Sequence, residues 1–163
     1  MSQSNHMLKT DHQKRVEEFM RRAGQDVLTQ PMVPNREVRL LRAKLIFEEA
    51  METIGALGCK VDYVLGAGSA VNLEVLLDPA VEPNLVLIAD GCADISVVTI
   101  GTLSACGIAD IPLLNEVDRS NLAKFGPGGY RREDGKWIKP DDWQPPNIVG
   151  VLNNQIQDDE DGE

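Results

Sequence analysis

The chain has 163 residues, 42% of them hydrophobic and only 4% aromatic, so one domain packed mainly by Leu, Ile, Val and Ala is expected. Its formal net charge of −10 excludes a non-specific nucleic-acid binder, which needs a basic surface, but not the binding of one small phosphorylated molecule through a metal. Cys59, Cys92 and Cys106 lack metal-ligand spacing and read as reduced, buried thiols of a cytoplasmic protein. No signal peptide is expected, and no apolar run of the roughly 18 residues that a membrane span needs.

Residues 1–9 are polar and read as a flexible start. Thr10 followed by Gln13 has the form of a capping box, opening a helix that carries Val16, Phe19, Met20 and Ala23 and ends at Gly24. After a loop with Pro31 and Pro34, Asn35 is a good N-cap for a second helix running to about Leu57. Residues 59–83 hold turn signals, Gly66-Ala-Gly68, Asp78-Pro79 and Glu82-Pro83, around a short helix expected over residues 69–77. A long apolar segment from Asn84 to Cys106 follows; its length favours a buried helix over a strand, and Gly107 stops it. Asp110 and Pro112 start the next helix, which runs through Lys124 to the break at Gly126-Pro-Gly-Gly129. Asp134-Gly135 marks a hairpin within residues 130–139. Residues 147–163 read as an extended, disordered tail, five of whose last six residues are acidic. The expectation is an all-α bundle of four or five helices with one small hairpin, the domain covering residues 10–146.

The second helix breaks the usual pattern. Val38, Leu41, Leu45, Glu48 and Glu52 follow one another at steps of three and four, so the apolar stripe runs directly into two glutamates. Glu49 stands beside them. On the apolar helix, Asp90, Asp94, Val97, Gly101 and Ala105 form another line, and the two aspartates are its only charged residues. A helix this apolar is expected to be buried nearly all round, where unpaired carboxylates are very costly. The nearest bases, Arg42 and Lys44, lie off the carboxylate line. If the two helices pack antiparallel, four or five acids meet in one crevice, and all-oxygen ligation selects a hard dication, Mg²⁺ or Mn²⁺. The plainer alternative is that the acids sit on the surface or pair with distant bases. It holds better for the glutamates than for the aspartates.

These motifs resemble those of the all-α NTP pyrophosphohydrolases, which include MazG-like proteins, phosphoribosyl-ATP pyrophosphohydrolases and dimeric dUTPases. The shared pattern is E-E-x-x-E on one helix and an acidic pair ending in Asp before an apolar run on a later one. Here these are Glu48-Glu49-Ala-Met-Glu52 and Asp90-Gly-Cys-Ala-Asp94. The chain is most similar to the phage and bacterial MazG-like or phosphoribosyl-ATP pyrophosphohydrolase-like subgroup. Leu41-Arg42, Leu45-Ile46, Gly101-Thr102, Glu116 to Phe125 and Asp134-Gly135-Lys136 carry that likeness, which covers roughly residues 14–146. The pattern departs at Gly91, where many relatives have Glu, and at Val97 and Ile100, where they have Tyr; Asp90 is read as the substitute acid.

The resemblance implies release of pyrophosphate from a nucleoside triphosphate with Mg²⁺, Mn²⁺ being able to substitute. It implies metal ligation by Glu48, Glu49, Glu52, Asp90 and Asp94, with Glu49 also orienting or deprotonating the attacking water. It assigns nucleotide binding to Asn121, Lys124 and Lys136, whereas periodicity alone reads Lys124 equally well as a solvated end of a helix. Arg119 is read as pairing with Glu116, and Lys139 as a solvated surface residue. A homodimer or homotetramer is implied, with no nucleic-acid polymer and no membrane as partner, in the cytoplasm or, for a phage protein, the host cytoplasm. The preferred substrate is a purine dNTP such as dGTP, with phosphoribosyl-ATP and dUTPase- or dCTPase-like activities as alternatives. A rival of another class is a non-catalytic helical interaction module, which would release no pyrophosphate from any nucleotide.

Overall fold

A computed structural model describes residues 8–65 and 71–160. In chain order the elements are α1 (Asp11–Arg22), α2 (Arg36–Ala56), β1 (Cys59–Leu65), β2 (Val71–Leu77), α3 (Leu85–Ala105), α4 (Asp110–Ala123), β3 (Tyr130–Arg131), β4 (Trp137–Ile138) and α5 (Ile148–Glu160). Helices dominate, and strands among the described residues occur only as two antiparallel pairs. The elements fall into two units: Pro34–Thr102, and Met1–Val33 together with Leu103–Glu163.

In the first unit, Asn35 caps α2 as its sequence requires, its side-chain oxygen accepting from the Val38 N–H at 2.9 Å. The short helix expected over residues 69–77 is instead a strand. β1 and β2 pair from Cys59↔Leu77 to Leu65↔Val71, so Val61 faces Val75 and Tyr63 faces Leu73. Either segment alone is short and apolar, and only pairing satisfies the backbone of both. The Gly66 and Gly68 turn lies outside the described residues. The hairpin returns beside its origin: the Asp78 N–H donates to Gly58 O, and the Asn84 N–H to Ala56 O.

Asn84 caps α3 by accepting from the Val86 and Leu87 N–H groups. Two expectations about this helix are corrected. It is 21 residues and, by length and composition, apolar enough to cross a membrane. Asp94 near its middle would cost about 2.5–3.5 kcal/mol at a bilayer centre. Nor is it buried all round: Leu85 is 80% and Val86 76% exposed, and Asp90, Cys92 and Asp94 are exposed as well. Between Leu85 and Val97 only Gly91 is buried, and buried side chains begin with Val98 and Ile100. No cysteine is in a disulfide, but Cys59 and Cys106 are half-buried and Cys92 faces solvent, so none is the buried thiol expected.

In the second unit, Thr10 caps α1 through the Gln13 N–H at 3.1 Å. Only half of the capping box forms. Gln13 is fully buried, and its side chain turns inward, donating to Ser104 Oγ and Ile108 O and accepting from the Asp110 N–H. Asp110, also buried, takes Gln13's place at the helix start and accepts from the Thr10 N–H and hydroxyl. A buried polar group costs little when every donor finds an acceptor, and this network meets that condition across residues a hundred positions apart.

The expected disordered tail is corrected too: residues 148–160 form α5. Buried Gln155 accepts from the Ala109 N–H and donates to its carbonyl, tying α5 to the start of α4. Glu116 on α4 accepts from the Asn147 N–H at 2.7 Å and from Arg119 through two bonds of 2.8 Å. The Arg119 guanidinium, and next the Asn147 N–H, hold the Glu116 carboxyl down at about 2, against 4.5 ordinarily. A lowered carboxyl adds stability that is complete above 4.5 and fades as pH falls towards 2. Glu116→Gln is therefore expected to flatten part of the acid-side fall in Tm between pH 4.5 and 2. An unaltered wild-type slope in that window would refute the coupling.

Candidate active site

Three pairings set the geometry of α2 and α3. Ala56 O accepts from the Asn84 N–H, Thr53 lies against Gly91, and Glu49 feels the charge of Asp94. As the number falls on α2 it rises on α3, so the helices run antiparallel. Glu49 and Glu52 of one thus come to Asp90 and Asp94 of the other. Glu49 is half-buried, while Glu48, Glu52, Asp90 and Asp94 are exposed.

The Glu49 carboxyl is pushed above its ordinary value, first by burial and then by the charges of Asp94, Glu52, Glu48 and Asp90. Among the described residues no ion pair involves any of the five acids. Four like charges beside a half-buried carboxyl, in no ion pair among the described residues, are an arrangement that a hard cation relieves. The donors are all carboxylate oxygens, which suit Mg²⁺ or Mn²⁺. As they stand, no three His, Cys, Asp or Glu side chains among the described residues are grouped tightly enough to grip an ion. Ligation would require the exposed carboxylates to swing inward.

The residues expected to hold the nucleotide belong to the second unit, which the acids do not. The Lys124 ammonium donates to Asn121 Oδ1 at 2.8 Å, so these two share a helix end as their spacing predicts. Lys136 is exposed at the β3–β4 turn, its N–H donating to Asp134. Arg119 pairs with Glu116, as its spacing led one to expect. Lys139, taken from the sequence as solvated, lies 3.5 Å above the Trp143 ring, with Lys124 5.6 Å from the same ring. Trp143 in turn donates to Ser120 O. Sequence reasoning passed over Trp143, whose signal was a tryptophan four residues beyond a lysine, and over Thr53, which looked like an ordinary helical threonine.

The E-E-x-x-E helix facing an aspartate-bearing helix across an antiparallel contact fits the all-α NTP pyrophosphohydrolases, the superfamily to which the chain belongs. Within that class, the profile of PRA-PH, phosphoribosyl-ATP pyrophosphohydrolase, matches residues 16–121, and the chain belongs to this family. It is a hydrolase of phosphoric anhydride bonds. The match takes in all five acids and Asn121 and stops short of Lys124 and Lys136. A comparison with curated proteins finds no match.

Proposed function

We propose that the protein is a divalent-metal-dependent pyrophosphohydrolase that cuts a (deoxy)nucleoside triphosphate, a purine such as dGTP, into the monophosphate and pyrophosphate. The observation that carries this reading is the Glu49 carboxyl, raised by burial and by four neighbouring carboxylates on two antiparallel helices. Glu48, Glu52, Asp90 and Asp94 would hold Mg²⁺. When bound, the ion neutralises phosphate charge and acidifies the attacking water. Glu49 orients that water and accepts its proton, a task suited to a carboxyl raised above its usual range. Asn121 offers a donor and an acceptor to a sugar hydroxyl or base edge, and Lys124 and Lys136 offer point charges to phosphate.

The family match favours a second substrate, phosphoribosyl-ATP, which presents the same scissile linkage. A panel of every dNTP, every NTP and phosphoribosyl-ATP, with Mg²⁺ and resolved products, separates the two. Pyrophosphate from dGTP above all others is the expected result. Preference for phosphoribosyl-ATP would replace the first reading, and orthophosphate release would overturn both.

Metal binding has its own signature. A ligand that binds only the folded state stabilises it by about 2.7 kcal/mol at 100 times its Kd. For a domain of this size that is worth roughly 5–11 °C in Tm, at about 2–4 °C per kcal/mol. Thermal melts with saturating Mg²⁺, then with a chelator, should show that rise and its reversal. Melting curves that superimpose with and without metal would remove the cation from the account.

A homodimer or homotetramer completes the proposal. Among the described residues, Val16, Met20, Val98, Ile100, Ala105 and Ala109 are the buried hydrophobic ones, against exposed Leu40, Phe47, Leu73, Val75, Leu85 and Val86 on the acid-bearing unit alone. So much exposed apolar surface is seldom left uncovered in a monomer. Light scattering on the purified chain measures the mass directly.

A further inference from the structure

We infer that Gly91 and Thr53 act together as a spacer that sets how closely the two acidic helices approach, and so positions the carboxylates for a cation. The inference rests on the reading of those acids as a metal site. It comes from a contact that no local pattern in the sequence announces.

Gly91 lies one position after Asp90 and three before Asp94. It is buried, and so is Thr53, at 6% exposure. A Cβ added at Gly91 would overlap Thr53 Oγ1 and come within 3.2 Å of Thr53 Cβ and 3.3 Å of Thr53 Cα. Two of those three atoms are backbone or backbone-attached and cannot swing aside. The third is tethered, because the Thr53 hydroxyl donates to the Glu49 carbonyl at 2.7 Å. The helices therefore touch almost backbone to side-chain root at this level. Glu49 and Glu52 lie within one turn of the contact on one side, Asp90 and Asp94 on the other.

This closeness has a chemical consequence. Carboxylates on facing helices share one ion only if the backbones are near enough for their short side chains to reach a common point. Asp has one methylene fewer than Glu, so the α3 side is the more demanding of the two. A methyl at position 91 must push α3 outward or rotate it, and either motion moves Asp90 and Asp94, its immediate neighbours in the chain. Thr53 does the matching work on α2: its hydroxyl fixes the Glu49 carbonyl, and its small size admits the glycine. Both are positioning residues, touching neither metal nor substrate.

The test is Mn²⁺ binding by titration calorimetry, with kcat and KM for the best substrate of the panel, on Gly91→Ala, Thr53→Val and Thr53→Ser. Misplaced outer partners of a metal site commonly cost about 10–100-fold in affinity or activity. Gly91→Ala is expected to weaken Mn²⁺ binding at least about 10-fold and to lower kcat more than it raises KM. Thr53→Val keeps the bulk but loses the hydrogen bond to Glu49 O, and should fall in the same direction. Thr53→Ser keeps the hydroxyl and should stay within about threefold of wild type. Thr53→Ala added to Gly91→Ala removes the overlapping oxygen and should recover part of the lost affinity. If Gly91→Ala does not fold, the contrast between Val and Ser at position 53 decides the matter. Mn²⁺ affinities equal to wild type in Gly91→Ala, or equal between the Val and Ser variants, overturn the spacer while leaving the metal site standing. Wild-type protein that binds no Mn²⁺ and releases no pyrophosphate overturns both.

Discussion

Glu49→Ala should fold normally and lose about 10²–10⁴-fold in kcat, the usual contribution of a positioned general base. Glu49 is the half-buried member of the acidic group, and the one whose carboxyl the other four push upward. Its loss removes a proton acceptor and also relieves charge repulsion. Stability without metal should therefore stay level or rise, while turnover collapses. That divergence separates a functional acid from a structural one, because removal of a structural acid lowers both together. Asp94→Asn probes the other helix. It keeps the shape and removes one negative charge, so weakened metal binding is expected, with activity partly restored by excess Mg²⁺. Full turnover in both variants, measured as pyrophosphate release under saturating Mg²⁺, would show that these helices are not where the reaction occurs.

Gly107→Ala should lower stability by roughly 2–5 kcal/mol, combining about 1–2 kcal/mol for an L-residue in the left-handed region with about 1–3 kcal/mol for forced overpacking. Gly107 has φ +71°, and a Cβ there would overlap Gln30 O and lie 2.5 Å from Gln30 C. The neighbouring backbone is held in place: the Leu28 N–H donates to Ser104 O, and the Met32 N–H to Cys106 O. The loop after α1 is thus laced to the end of α3, and it cannot retreat without breaking those bonds. Gly24 is the control. It has φ +70° but nothing within 4 Å of an added Cβ, so Gly24→Ala should cost only the conformational share, about 1–2 kcal/mol. Urea midpoints for the two variants should differ clearly. Equal midpoints would mean that the Gln30 contact adds nothing.

The sites where sequence reasoning succeeded and failed follow a physical rule. Thr10 and Asn35 were readable as N-caps because a cap bonds a backbone N–H three residues on. The Asp134-Gly135 turn was readable for the same reason, with Gly135 at φ +86° between β3 and β4. The acids on α2 and α3 stood out because they interrupt apolar lines at helical spacing. Gln13 deceived because its spacing suits a capping box, whereas Asp110, nearly a hundred residues away, competes successfully for the Thr10 N–H. The segment after α2 deceived because a short apolar run reads alike as helix or strand until its partner is known. The tail deceived because its acidic end hid Gln155, whose two bonds to Ala109 secure the helix.

By itself, then, the sequence determined where the principal helices begin, that the protein is built mainly from helices, and which carboxylates break the apolar pattern. All of these depend on residues within a turn or two of each other. Only the tertiary structure decided that β1 and β2 pair, that α3 leaves its first turns and both aspartates in solvent, and that Gly91 meets Thr53. Those outcomes depend on which distant segment supplies the partner atom, and local spacing carries no record of that choice.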